Sequence, residues 1–158
     1  MSTAITDNRT PAIFPYGEAA NAKYQVPEYG IAEEFPVAEG LIDEEPPVLL
    51  KWDSGVLKPC TFANDVPFGV FLPGSTHIDN GTLKGVCVMF GNIIKLVAIG
   101  TITEGDLIYT APSGRVQFQP SSAGTYYQIG MAIESGDSGD EIKVVTHAPI
   151  KFVVEQPI

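Results

Sequence analysis

The chain has 158 residues, of which 44% are hydrophobic, and its formal net charge is −10. That length and apolar content suffice for a single domain with a sizeable core, or for one domain plus an arm. The charge argues against binding to nucleic acid or to an anionic membrane, because the nine lysines and arginines form no cluster. The start lacks the regions of a secretory signal, and no apolar run approaches bilayer length. We therefore expect synthesis in the cytoplasm.

Residues 1–46 are predicted to form an extended acidic arm. Six of the 13 prolines lie between Met1 and Pro47, together with nine acidic and two basic residues. Proline lacks an amide donor and biases its predecessor toward extended conformations, so we expect irregular structure there. The arm either folds back on its own domain or, as we favour, lies across other subunits. Its anchors would be aromatic residues that a solvated linker lacks: Phe14, Tyr16, Tyr24, Tyr29 and Phe35.

Residues 47–158 are predicted to form an all-β domain, either a small barrel or a sandwich. Short apolar runs bounded by turn residues indicate strands, and no long stretch has apolar residues at helical spacing. The segment GVCVMF is apolar on both faces, so it should be a central strand or be covered by a neighbouring subunit. We place strands at 48–52, 56–60, 68–72, 84–90, 93–98, 106–110, 115–118, 127–133, 141–146 and 149–154.

The segments between these strands contain residues that favour tight turns. Gly91-Asn92 predicts a two-residue hairpin between the strands on either side of it. Three further turns place glycine where a positive φ is required: Asp53-Ser54-Gly55, Asp79-Asn80-Gly81 and Pro112-Ser113-Gly114.

The β-domain contains an internal repeat, with pseudo-repeats at approximately 47–98 and 104–154. Each pseudo-repeat has a strand, a turn that ends at a glycine, a second strand, and then an apolar segment that contains Gly69 or Gly130. A polar loop, a hydrophobic strand and a last strand with a lysine follow, and matched positions lie about sixty residues apart. Such self-similarity indicates a repeated supersecondary unit and a scaffold rather than catalytic machinery.

The candidate catalytic and metal-binding constellations are weak. GDSGD at 136–140 is similar to the serine segment of trypsin-like proteases, but Asp140 would place a carboxylate beside the developing oxyanion. His77, His147 and Ser138 lack the expected surroundings, so we interpret the segment as a polar turn. The acidic side chains at 134–141 do not match a calcium loop, and the cysteines and histidines lack zinc-site spacing. We therefore expect no enzyme, no metal and no cofactor.

Three apolar or aromatic features have structural interpretations. Cys60 and Cys87 lie in strand-like apolar surroundings, which favours reduced core thiols over a disulfide. Trp52 is either a core residue or an interface anchor, and we favour the core. Tyr126 and Tyr127 are the candidates for lining a ligand groove.

Two segments resemble the capsid cement and decoration proteins of tailed phages. They are EGDLIYTAPSGRVQFQ and, after a polar loop, YQIGMAIESGDSGDEIKVVTH. The first repeat, with VLLKWDSGVLKP and VPFGVFL, is similar to lambda-type head decoration proteins in its order of elements. The resemblance covers residues 46–154 and implies a β-rich structural protein of the virion, often trimeric, with an N-terminal arm that contacts the major capsid protein.

From these observations we expect a protein that binds the outside of a phage capsid and stabilises it by bridging major capsid protein subunits. The aromatics of the arm would contact the capsid, and the last strand would contact other subunits through Ile150, Phe152 and Val153.

The expected partners are therefore the major capsid protein and further copies of the chain, as a homotrimer, with no nucleic acid and no membrane. The expected location is the capsid surface of the virion. The alternative function is the base of a head fibre or a host-glycan-binding adhesin module, for which Tyr126 and Tyr127 would supply the aromatic contacts.

Overall fold

The computed structural model describes residues 31–42 and 46–157, and it is all-β, as predicted. Two short 3₁₀ turns, Glu39–Leu41 and Pro112–Gly114, interrupt the strands. The strands are Ala32–Pro36 (β1), Leu49–Asp53 (β2), Val56–Pro59 (β3), Gly69–Phe71 (β4), His77–Asp79 (β5), Thr82–Met89 (β6), Ile93–Val97 (β7), Leu107–Thr110 (β8), Val116–Gln117 (β9), Gly124–Ala132 (β10) and Glu141–Val154 (β11).

Every strand predicted from the sequence overlaps an observed strand. The last two predictions are the two halves of β11, which continues past Pro149 because residues 147–149 bulge opposite Ile129 of β10. The sequence did not predict β5, a short polar strand, or β1, which lies in the segment assigned to the arm.

The strands form two antiparallel sheets. The first sheet has the order β1-β6-β4-β2-β3, with β5 also paired to β6, and the second has the order β7-β11-β10-β8-β9. The hairpin predicted at Gly91-Asn92 is therefore wrong, because β6 and β7 lie in different sheets. Strand β6 already has β1 and β4 as partners, whereas β7 pairs with the distant β11.

The two sheets repeat one topology. Strands β1, β2, β3, β4 and β6 of the first sheet occupy the same places as β7, β8, β9, β10 and β11 of the second. Parallel bridges repeat as well, since Val37 pairs with Leu57 in the first unit and Ala98 pairs with Val116 in the second. The repeat inferred from the sequence therefore corresponds to two units with matching strand order.

The observed units begin earlier than the predicted repeats at 47–98 and 104–154. Strand β7 was assigned to the end of the first repeat, but it is the first strand of the second unit. Its counterpart β1 opens the first unit, so residues 31–42 of the predicted arm belong to the β-domain. Because each opening strand pairs with the last strand of its own unit, neighbouring positions in the sequence do not reveal this arrangement.

Two hydrophobic clusters lie on opposite faces of the first sheet. The main cluster contains residues of both sheets, including Leu49, Val70 and Val88 of the first sheet, and so lies between the sheets. The second cluster contains Leu50 and Cys87, which point to the other face. The predicted central position of GVCVMF is confirmed, since β6 has a neighbouring strand on each side and apolar contacts on each face.

The predicted turns adopt the expected backbone geometry. Ser54-Gly55 and Ser113-Gly114 occupy equivalent places after β2 and β8, and all four residues have positive φ. Asn80-Gly81 between β5 and β6 has the same signs. Glycine relieves the steric cost of this conformation at the second position of each turn.

Candidate interaction surfaces

An aromatic cluster lies on the outer face of the first sheet and consists of Phe35, Trp52 and Phe68. The ring centroids are 5.7 Å apart for Phe35 and Trp52, 5.4 Å for Phe35 and Phe68, and 5.3 Å for Trp52 and Phe68. All three contacts are edge-to-face, which is a favourable arrangement of aromatic rings. Trp52 remains 45% exposed, so it is not the core residue that we favoured from the sequence.

The other predicted arm residues lie outside the described part of the chain. Phe14, Tyr16, Tyr24 and Tyr29 precede residue 31, and their contacts with a capsid stay a prediction. Phe35 is the one predicted anchor that the structure describes. It lies in β1 opposite Gly85 and packs against residues of its own chain.

An outer stripe of apolar side chains crosses the second sheet. It consists of Ile93, Val145, Met131 and Leu107, which are direct cross-strand neighbours on β7, β11, β10 and β8. The four side chains are between 40% and 54% exposed. Four adjoining apolar residues on one sheet face form a contiguous patch rather than isolated surface residues, and such patches are characteristic of interaction sites.

Sequence reasoning missed the outer stripe. Its signal was the run Leu107-Ile108-Tyr109, because consecutive apolar residues in a strand make both faces apolar. The structure buries Ile108 and leaves Leu107 exposed. Only the pairing with β10 and β11 makes the stripe continuous.

The three residues predicted for subunit contacts lie in the second half of β11. Ile150 and Val153 are exposed, whereas Phe152 is half-buried with its ring 4.9 Å from that of Tyr109. The structure therefore places two of the three side chains where a partner could reach them. Their role in subunit contact stays a prediction.

The loop between β3 and β4 is organised by one carboxylate. Asp65 Oδ2 accepts hydrogen bonds from the backbone N–H groups of Thr61 (2.8 Å) and Phe62 (2.9 Å) and from Lys51 Nζ (3.0 Å). Burial acts to raise the pKa of Asp65, but these hydrogen bonds outweigh it and hold the pKa below its ordinary value of 3.8. The loop also joins the two units, because Ser113 donates its N–H to the carbonyl of Thr61.

Two buried threonines connect the units through their hydroxyl groups. Thr146 Oγ1 donates to the carbonyl of Asn92 (2.6 Å) and accepts the N–H of Gly91 (3.1 Å), which holds the crossing between β6 and β7. Thr110 Oγ1 donates to the carbonyl of Ala63 (2.6 Å) and accepts the N–H of Tyr127 (3.0 Å). Both hydroxyls are therefore satisfied away from water.

The two histidines considered as catalytic candidates each have a local partner, and the candidate serine lies in a turn. His77 Nε2 lies 2.9 Å from Glu34 Oε2, and His147 Nδ1 lies 2.7 Å from the carbonyl oxygen of Ala148. Ser138 lies in the turn between β10 and β11, where Asp140 Oδ2 accepts the N–H of Asp137 at 2.8 Å. The structure therefore gives both histidines a local partner and places Ser138 in a polar turn.

The described residues contain neither a cluster of metal ligands nor a membrane-spanning helix. Over 31–42 and 46–157, no group of three or more His, Cys, Asp or Glu side chains is arranged to hold a metal ion. In the same ranges, no helix has the length and apolar content needed to cross a membrane.

Cys60 and Cys87 are free, buried thiols in different hydrophobic clusters. Burial raises the pKa of each to about 12. A thiol with so high a pKa is a poor nucleophile at neutral pH. The expected role as core thiols agrees with this placement.

Comparison with known proteins gives no relative for this chain. No protein-family model, no curated protein and no solved structure matches it.

Proposed function

We propose that this chain is a structural protein of a phage virion that binds the outside of the capsid and bridges major capsid protein subunits. The observation that carries the proposal is the concentration of exposed apolar side chains on two surfaces, the aromatic cluster and the outer stripe. Surfaces of this kind serve binding rather than bond-making chemistry. The likeness of residues 46–154 to cement and decoration proteins indicates the kind of partner.

The mechanism is non-covalent bridging. The N-terminal segment, with Phe14, Tyr16, Tyr24 and Tyr29, contacts the major capsid protein, and the β-domains associate with one another as a homotrimer on the capsid surface. The acidic character of residues 1–47 suits a positively charged partner surface, since its nine acidic residues outnumber two basic ones. The protein is made in the host cytoplasm and acts on the assembled shell.

The alternative, a fibre base or a glycan-binding adhesin, has less support. A glycan groove requires exposed aromatic faces, for which Tyr126 and Tyr127 were the candidates. Tyr126 is buried and donates its hydroxyl to the carbonyl of Ser122 (2.9 Å), and Tyr127 packs against the main hydrophobic cluster. Tyr126 is therefore not available to stack on a sugar, and the ring of Tyr127 is only partly exposed.

A capsid-binding experiment tests the proposal with the full-length chain. A truncation at Pro47 would remove β1 from the first sheet, so substitutions are the better design. Purified protein is mixed with undecorated expanded capsids, pelleted and imaged. We expect saturable binding by the unaltered chain and weaker binding when Phe14, Tyr16, Tyr24 and Tyr29 are all replaced by serine.

Phe118→Ser provides the control, because Phe118 is also an exposed aromatic residue but lies in the β-domain. Its binding should match that of the unaltered chain. Absence of binding by the unaltered chain would falsify the capsid proposal. Retention on a glycan array under the same conditions would then favour the adhesin.

A further inference from the structure

The two units pack with non-equivalent faces in contact. A face that is buried in one unit is therefore exposed in the other. In the first sheet, Ala32, Val88, Val70 and Leu49 form a cross-strand row. The matching row of the second sheet is the outer stripe, because Ile93, Val145, Met131 and Leu107 pair in the same order on the equivalent strands. The first row packs into the main cluster against the second sheet, whereas the outer stripe is exposed.

On the other face of each sheet the pattern of burial is reversed: the face of the second sheet is buried, and the matching face of the first sheet is partly exposed. The row Leu50, Gly69 and Met89 of the first sheet matches Ile108, Gly130 and Thr146 of the second. By the same register, the aromatic cluster of Phe35, Trp52 and Phe68 matches Leu96, Thr110 and Ile129.

Those three counterparts are buried where the second sheet packs against the first, but Trp52 is exposed and Phe35 and Phe68 are only half-buried. Each chain therefore contains one complete junction between units. Within residues 31–42 and 46–157, the outer stripe and the aromatic cluster have no such partner, and they correspond to the two halves of a second junction.

We infer that the outer stripe of one copy docks on the aromatic cluster of a second copy, and that this contact continues the packing of the two units within the chain. The occupant is a second copy because the chain already packs equivalent faces together in its own core. The contact joins two different surfaces, so it is heterologous and generates either a closed ring or an open chain.

Charges beside the two surfaces are of opposite sign. Lys95 and Lys143 form the row of the second sheet next to the outer stripe. Glu33 lies on β1, on the face that carries Phe35 of the aromatic cluster, and it is exposed. Because the chain as a whole carries a charge of −10, a local pairing of this kind favours one orientation of two copies over others.

The fluorescence of Trp52 reports directly on burial of the aromatic cluster, because Trp52 is the only tryptophan in the chain. Its emission maximum is recorded for the full-length protein over a wide range of concentrations, beside mass measurement by light scattering. We expect the emission to shift to shorter wavelength as the assembly forms. A monomeric mass at every concentration would overturn the inference, as would an emission maximum independent of concentration.

Two substitutions test the two surfaces of the contact one at a time. Val145→Glu places a charge at the centre of the outer stripe, and Trp52→Glu places one in the aromatic cluster. Each variant should be monomeric alone, with self-association weakened roughly 30-fold or more, since buried aromatic and central apolar contacts dominate interfaces. Circular dichroism checks that each variant is folded. Ile78→Glu is the control, because Ile78 is an exposed apolar strand residue that lies outside both the outer stripe and the aromatic cluster.

Mixing the two variants gives the decisive result. The Trp52→Glu chain retains its stripe and the Val145→Glu chain retains its cluster, so the mixture should form a one-to-one heterodimer that grows no further. Absence of the heterodimer, or assembly by Val145→Glu alone, contradicts the inference. The result does not depend on capsid binding, so it remains informative if the proposed function fails.

Discussion

Val88 and Val145 occupy equivalent positions in the two sheets, but Val88 is 5% exposed and Val145 is 40% exposed. Each valine lies opposite an equivalent residue of the neighbouring strand, Val70 for Val88 and Met131 for Val145. The difference arises because the first sheet covers its face with the second sheet, and the described residues leave the matching face of the second sheet uncovered. This asymmetry is the basis for the self-association inferred above.

Gly69 and Gly130 should be intolerant of a larger residue because their strands approach a neighbour closely. A Cβ at Gly69 would lie 2.5 Å from Cys87 Sγ and 2.8 Å from the carbonyl oxygen of Val88, and one at Gly130 would clash with the carbonyl oxygen of Val145. We expect alanine at either site to cost about 1–3 kcal/mol in the free energy of unfolding, measured by urea denaturation.

Gly40→Ala is the control for these substitutions, because no heavy atom lies within 4 Å of its built Cβ. Its stability should stay close to that of the unaltered chain. Equal stability of all three variants would show that the close approach is not maintained in solution.

Thr146→Val should destabilise the chain although the two side chains have nearly the same shape. Valine leaves the N–H of Gly91 and the carbonyl of Asn92 without the hydroxyl partner that they have now. The expected loss is about 1–3 kcal/mol in the free energy of unfolding, from denaturant titration. Thr101→Val, at an exposed hydroxyl 3.3 Å from Asp137, should have little effect, and a similar loss in both variants would contradict this account.

Asp65→Ala should destabilise the chain in a pH-dependent way. The carboxylate accepts two backbone N–H groups and Lys51, so its removal should cost about 1–3 kcal/mol at pH 7. The pKa of Asp65 lies below 3.8 in the folded state, so its contribution is present above that value and is lost as the pH falls through the folded pKa.

Urea denaturation at pH 7 and at pH 3 measures this difference. The gap between the unaltered chain and Asp65→Ala should be smaller at pH 3. Asp53→Ala is the control, because the Asp53–Lys58 ion pair is exposed, and its effect should be small at both pH values. A gap that grows on acidification would exclude the proposed role of the carboxylate.

Cys60 and Cys87 should not react with a thiol reagent such as DTNB while the chain is folded. Burial raises the pKa of each thiol to about 12, so almost no thiolate forms at pH 8. In guanidinium, both cysteines of the chain should react without prior reduction. A requirement for a reductant would indicate a disulfide and contradict the free thiols of the structure.

Local features of the sequence determined the strands, the turns and the fold class. Alternation of apolar residues and the turn signals Ser54-Gly55 and Asn80-Gly81 act over a few residues, so they can be recognised without knowing which strands pair. The repeat was also recognisable, because equivalent strands keep a similar pattern. Apolar residues on both faces of GVCVMF correctly indicated a central strand.

Only the tertiary structure decided which strands belong together and which apolar faces are buried. Strand β7 follows β6 closely in the chain but pairs with β11, and β1 extends the first sheet from within the predicted arm. Sheet pairing joins residues far apart in the sequence, so no local pattern specifies it. For the same reason, equivalent apolar rows look alike in the sequence, and only the packing of the two units buries Val88 and exposes Val145.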